Sequence, residues 1–243
     1  MPENSTKPLS GNENCTYSGH IDLIIHGLKY ILIGLCLGLL VSIRSFGAEP
    51  PRPLQVDGVV KTDTVWSGTV HVVGDVLVPE GVTLTISPGT KVMFDSSESS
   101  KIEPVFLSMQ TEIMVRGRLL VMGEKSRPVS FESAPEGINT KKPARGDWGG
   151  IMFDGEASGK SKILFANFEM ADTAVGLFGS SPDLSDIKIR DCKYGIVSQG
   201  NSAPKAARIS IKGCETGVVS SHGSVLPLGG MTLEKNERDS IIR

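Results

Sequence analysis

The chain has 243 residues, with 25 Lys and Arg against 27 Asp and Glu, a formal net charge of −2 and only 5% aromatic residues. Near-neutrality argues against a general nucleic-acid or anionic-membrane role, and the length is enough for one sizeable core. Four histidines and four cysteines leave few of the residue types that histidine catalysis or a zinc site would need.

The first feature in chain order is an uncharged apolar stretch, Tyr30 to Ile43, bracketed by Lys29 and Arg44. It falls short of the roughly 20 residues of a comfortable membrane span and matches a secretory h-region. Ser45 and Gly47 are the small residues expected before a cut after Gly47. Residues 1–47 are therefore read as an N-terminal tail plus signal peptide, with an uncleaved signal anchor from about Ile21 as the alternative. The expected location is exported: periplasmic, extracellular or on the outer surface, or held there by that anchor. Leu35 before Cys36, where a small residue would be wanted, argues against lipidation.

Residues 48–63 begin Ala48-Glu49-Pro50-Pro51-Arg52-Pro53 and read as a Pro-rich linker or N-terminal cap. The body, 64–243, opens in short extended runs: Val70-His71-Val72-Val73, Val76-Leu77-Val78, Thr83-Leu84-Thr85-Ile86 and Lys91-Val92-Met93-Phe94. Turns such as Pro79-Glu80-Gly81 and Ser87-Pro88-Gly89 separate them. Such short β-branched strands without helical periodicity suit three-sided coils of parallel strands. Two stretches, Asp95 to Glu112 and Glu132 to Gly146, are too long for corner turns and are expected as loops on one flank.

From there the chain repeats. Ile187-Lys188-Ile189-Arg190-Asp191-Cys192-Lys193-Tyr194-Gly195-Ile196-Val197-Ser198 recurs 22 residues later as Ile209-Ser210-Ile211-Lys212-Gly213-Cys214-Glu215-Thr216-Gly217-Val218-Val219-Ser220. A looser copy follows at Met231, Leu233, Asn236 and Asp239, and an earlier one at Ala166, Phe168, Ala171, Ala174 and Val175. A period near 20 means a solenoid. The expected fold is all-β, a right-handed parallel β-helix of about eight coils and period about 22 residues, forming a rod of ~40 Å at strand spacing.

The repeat aligns outward residues into columns. Glu169, Arg190, Lys212 and Glu234 form one and Asp172, Lys193, Glu215 and Glu237 another, with signs that alternate at most steps and favour in-register stacking. Thr173, Tyr194, Thr216 and Arg238 form a third. Cys192 and Cys214 occupy equivalent places in adjacent coils. Two readings stay open for them: a buried thiol stack, or a disulfide at strand spacing.

Asp63-Thr64-Val65-Trp66-Ser67-Gly68, Gly81-Val82-Thr83-Leu84-Thr85-Ile86-Ser87-Pro88-Gly89-Thr90, Gly117-Arg118-Leu119, Arg127-Pro128-Val129-Ser130-Phe131 and Gly146-Asp147-Trp148-Gly149-Gly150-Ile151 together resemble the bacterial right-handed parallel β-helix repeat proteins of pectate-lyase-like architecture. The resemblance spans essentially the whole body. It implies an exported β-helix from a superfamily that includes lyases, epimerases, adhesins and accessory proteins, and no single activity.

No residue constellation points to catalysis. Asp183, Asp186 and Asp191 lie close in sequence and are the weak candidates for a calcium ion, although Asp183 and Asp186 beside Pro182 read more simply as turn formers. No other cofactor is implied. His71 and His222 lack metal-ligand spacing. For binding, Lys141, Lys142 and Arg145 in the second insertion, with Lys160 and Lys162 expected on the same flank, would hold an anionic polysaccharide. Tyr194 is the best aromatic to stack on a sugar. The sequence thus favours a non-catalytic scaffold or binding module of the cell envelope, its partner an anionic polysaccharide or an envelope protein. The competing reading is a lyase-like or epimerase-like enzyme or an accessory protein. The last copy ends without an evident polar cap, so end-to-end self-association through the C-terminal coil is expected as well.

Overall fold

A computed structural model describes residues 53–96, 109–134 and 144–243. The chain divides into two units, Met1–Pro51 and Arg52–Arg243, and every described residue belongs to the second. Residues 1–47, with the apolar stretch and the expected cleavage point, lie outside the described residues, as do Lys141 and Lys142.

The second unit is a right-handed parallel β-helix. Its strands are β1 (Leu54–Val59), β2 (Thr64–Trp66), β3 (Thr69–Val78), β4 (Thr83–Ile86), β5 (Lys91–Phe94), β6 (Glu112–Val115), β7 (Arg118–Met122), β8 (Val129–Ser133) and β9 (Trp148–Asp154). They continue as β10 (Lys162–Glu169), β11 (Ala171–Phe178), β12 (Asp183–Arg190), β13 (Tyr194–Gln199), β14 (Lys205–Lys212), β15 (Thr216–Ser220), β16 (Met231–Glu234) and β17 (Arg238–Ile242). Pairing between coils is parallel throughout, and it sorts the strands onto three sides. Side A stacks β2, β4, β7 and the first halves of β10, β12 and β14. Side B stacks the first halves of β1 and β3, then β5, β8, the second halves of β10, β12 and β14, and β16. Side C stacks the second halves of β1 and β3, then β6, β9, β11, β13, β15 and β17. Counting β1 as coil 1 and β16 with β17 as coil 8, the described residues form eight coils, seven of them within 64–243 and the first within the stretch 48–63 that the sequence reads as a linker or N-terminal cap.

Alternation buries one residue in two. Inside lie columns such as Leu84, Leu119, Val121, Ile163 and Leu184 from side A and Phe131, Phe168, Ile189 and Ile211 from side B, all fully buried. Rings reinforce the middle coils: Phe94 stacks on Trp148 with centroids 4.0 Å apart, and Phe131 on Phe168 at 4.7 Å. Such pairs contribute about 0.5–1.5 kcal/mol beyond area burial.

The glycine that recurs at 195 and 217 is required by close approach. A Cβ at Gly195 would overlap the Gly217 carbonyl oxygen one coil on, and a Cβ at Gly217 would overlap that of Asp239. In coil 8 the same position is Asp239, and no strand lies over it among the described residues.

A serine ladder lines the corner between sides C and A, at the repeat period. Ser158 Oγ bonds Ser180 Oγ at 2.8 Å, the Ser180 amide donates to Ser202 Oγ at 3.0 Å, and the Ser202 amide donates to Ser224 Oγ at 3.0 Å. The Ser202 and Ser224 hydroxyls each satisfy a backbone donor that the corner would otherwise bury unpaired, and Ser158 Oγ is held by the Gly155 carbonyl at 2.8 Å.

Candidate functional site

Both insertions leave the end of side B and return on side C, the first between β5 and β6 and the second between β8 and β9. That places them at one corner, as the sequence implied. Lys160 and Lys162 do not share it. Lys160 ends a 3-10 turn, Glu156–Lys160, between β9 and β10, and Lys162 faces outward on side A, 3.3 Å from Asp183. The expectation of one basic flank is corrected here: sequence proximity put these lysines with Arg145, but a third of a coil carries the chain round to another corner. Arg145 itself bonds Glu237 across 2.7 Å, and Glu237 first, with Glu215 and Asp191, holds its guanidinium pKa above the ordinary value.

The three aspartates are separate. Asp183 lies in β12 beside Lys162 and in register with Lys205, so it is a strand residue and not a turn former. Asp186 turns the A–B corner and takes two bonds from Arg208, at 2.8 and 2.6 Å. Asp191 turns the B–C corner. Among the described residues no group of three His, Cys, Asp or Glu side chains is placed to hold a metal ion.

The charged columns stack in register as read: Glu169 with Arg190, Arg190 with Lys212 and Lys212 with Glu234. Asp172 pairs with Lys193 at 2.7 Å, Lys91 with Glu132 at 2.5 Å, and His71 with Asp95 at 2.6 Å. Cys192 and Cys214 are free, buried thiols in one interior column. The neighbouring Cys214 thiol, together with burial, pushes the Cys192 thiol well above its ordinary pKa, while Cys192 holds the Cys214 thiol below its own; the two donate to the Arg190 and Lys212 carbonyls.

Thr173, Tyr194, Thr216 and Arg238 are in register, but the column does not face outward as a whole. Thr173 and Thr216 are buried, while Tyr194 is 37% exposed. A short threonine is screened by the coils on either side, whereas a phenol ring extends past them. Tyr194 borders the feature that sequence reading missed. The outward positions of side C form an apolar column: Val59, Leu77, Met114, Met152, Gly176, Val197, Val219 and Ile241. Leu77, Met114 and Met152 are buried, with Phe178 packed on them. Further along, the column opens into a trough of about 560 Å³ lined by Tyr194, Gln199, Val219, Ser221, His222, Ile241 and Arg243. A second lobe of about 320 Å³ adjoins it through Gln199 and His222, and Phe178 lines its far side.

The trough therefore has an apolar floor, one ring at its edge and a rim of amide, hydroxyl, imidazole and guanidinium groups, with no carboxylate side chain in its lining. His222 Nδ1 lies 3.0 Å from Ser221 Oγ. This arrangement can stack on the apolar face of a ligand and hydrogen-bond its polar edge. It holds no nucleophile, base and orienting group in sequence.

Three flat, in-register faces with a trough on one of them define a β-solenoid repeat protein. The chain belongs to the pectate-lyase-like β-helix domain family, whose model matches residues 58–185, more than half of its length. Neither the curated proteins nor the solved structures compared with it gave a match.

Proposed function

We propose that the protein is an exported, non-catalytic scaffold or binding module of the cell envelope, and that the side C trough holds a surface polysaccharide carrying acidic groups. The observation that carries this reading is the trough lining: an apolar floor and the Tyr194 ring, with Arg243 and His222 but no carboxylate side chain, in a protein of net charge −2. The apolar stretch Tyr30 to Ile43 supports export. The lyase or epimerase alternative needs carboxylates or a metal gathered in a groove, and Asp183, Asp186 and Asp191 sit on different parts of the coil with their own neighbours.

Retention of the full chain on immobilised polygalacturonate, with a neutral glucan as control, tests the reading. Wild type should be retained on the acidic matrix, and Tyr194→Ala should weaken retention about tenfold, the size of one lost ring contact of roughly 1.4 kcal/mol. Equal retention on both matrices, or an unaffected Tyr194→Ala, would remove the trough from the proposal. Release of unsaturated product in the same assay, with calcium and lost with chelator, would replace binding by catalysis.

A second reading is favoured by the last coil. Ile242 is 63% exposed beside an apolar cavity of about 190 Å³ lined by Val218, Val225, Leu226 and Leu228. Stacking of a second copy on this end is its natural occupant, and it can coexist with ligand binding in the trough.

A further inference from the structure

The column at the B–C corner runs Asp172, Lys193, Glu215, Glu237. Asp172 and Lys193 pair, and Lys193 to Glu215 also alternates in sign. The step from Glu215 to Glu237 sets two carboxylates one above the other. Coils 7 and 8 are in register there, since the Arg238 amide donates to the Glu215 carbonyl and Thr216 pairs with Arg238. Like charges at strand spacing oppose stacking. Coil 8 meets that repulsion with a pairing partner on only one side among the described residues.

Arg145 lies at this step, although it belongs to the insertion of coil 4. Its Nη1 is 2.7 Å from Glu237 Oε1, and Glu215 and Asp191 add to the field that holds its proton. The turn that carries it is fixed to the solenoid. The amides of Gly146 and Asp147 both donate to the Met170 carbonyl, at 2.9 and 3.0 Å, and Asp147 Oδ2 accepts from the Ala144 amide at 2.7 Å. The backbone of Gly146 lies against the Lys193 stem so closely that a Cβ there would displace it.

We infer that Arg145 is a positioning residue for the trough: by bridging the Glu215–Glu237 step it holds coil 8 on the stack, and coil 8 supplies Ile241 and Arg243 to the lining. This rests on the trough being the ligand site. The second insertion thus acts on its own C-terminal coils, and its described cation is engaged within the chain.

Amide hydrogen exchange in β16 and β17 of the full chain, measured with retention on polygalacturonate, tests it. Arg145→Ala should speed exchange in coil 8 by about 2- to 5-fold, the range of an exposed ion pair, and weaken retention by a similar factor. At 1 M salt, where screening acts within about 3 Å, the exchange difference should vanish. In a Glu237→Lys background the column already alternates, so adding Arg145→Ala should no longer speed exchange. Unchanged exchange in Arg145→Ala, or an equal effect in the Glu237→Lys background, overturns the inference. Faster exchange with unchanged retention in a protein whose retention Tyr194→Ala weakens also overturns it, because coil 8 would then be loosened without effect on the trough. Tyr194→Ala alone should leave coil 8 exchange as in wild type, which separates failure of the trough reading from failure of the bridge.

Discussion

Phe165, Met170, Asp186, Asp191, Arg208 and Lys235 hold φ between 47° and 63°, a region that costs an L-residue roughly 1–2 kcal/mol. They are the corners: Phe165, Asp186 and Arg208 turn side A into side B, and Met170, Asp191 and Lys235 turn B into C. The cost is sustained because the strands on either side are fixed by parallel ladders, on both faces at the interior corners and on one face around Lys235 and before Arg208. Only the aspartates among these types are commonly found in this conformation, so the corners were not readable from turn propensity. At Asp186 the backbone and the charge can be separated. Asn tolerates the same φ, so Asp186→Asn keeps the corner and removes the ion pair. The two bonds from Arg208 hold the Asp186 carboxyl below its ordinary pKa. A depressed carboxylate contributes stability that is complete above its unfolded value, about 3.9, and is lost as pH falls through the lower folded value. Asp186→Asn should therefore lower Tm by no more than a few degrees at pH 7, and the two melting curves should begin to converge as pH falls below about 4 and meet below the lower folded value. A gap that persists in acid would mean that the amide disturbs the corner itself.

At the scale of elements, what the sequence shows is what repeats on the interior. Ile187, Ile189, Ile209 and Ile211 alternate at the period and are buried in register, so the repeating strands and the charged columns could be assigned before the structure. The serine ladder was equally periodic, at 158, 180, 202 and 224, but serine in a turn carries no distinctive signal until its partner is known. The trough was hidden for the opposite reason. Val197 and Val219 lie next to Ile196 and Val218, so an outward apolar column beside an inward one reads as a continuous buried run. Lys160 and Lys162 were misassigned because the short β9–β10 connection gives no hint of how far round the coil it travels. The ladder makes its own prediction. Ser202 Oγ accepts from the buried Ser180 amide and donates to the Gln199 carbonyl at 2.7 Å. Ser202→Ala leaves the buried Ser180 amide unpaired, at about 1–3 kcal/mol, while the Gln199 carbonyl keeps the Gly179 amide at 3.0 Å. Chemical denaturation should show a loss of about 1–3 kcal/mol. A loss under 0.5 kcal/mol would mean that water replaces the hydroxyl and that the ladder follows from the corner and does not hold it.

At the scale of the molecule, a solenoid is close to one-dimensional: each coil is held by its two neighbours, and an end coil by one. Interior coils satisfy their backbone on both sides, whereas β16 and β17 pair only with β14 and β15 among the described residues. A strand edge left unpaired is the template on which another parallel strand adds most readily. The apolar end cavity and Ile242 lie at that end of the stack, so a copy stacked there would gain ladder bonds and bury apolar surface together. Head-to-tail stacking would propagate, while end-on-end stacking of two C-terminal coils would stop at a dimer with two-fold symmetry. Sedimentation of the 243-residue chain should therefore show a concentration-dependent rise in mass. Ile242→Asp, which places a charge on the exposed end without touching the trough, should return it to a monomer. A plateau at the dimer would select the closed arrangement, and a mass that keeps rising would select the open one. Monomer at every concentration in the unaltered chain would mean that the edge charges Glu234, Arg238 and Asp239 and the bridge from Arg145 already protect the end.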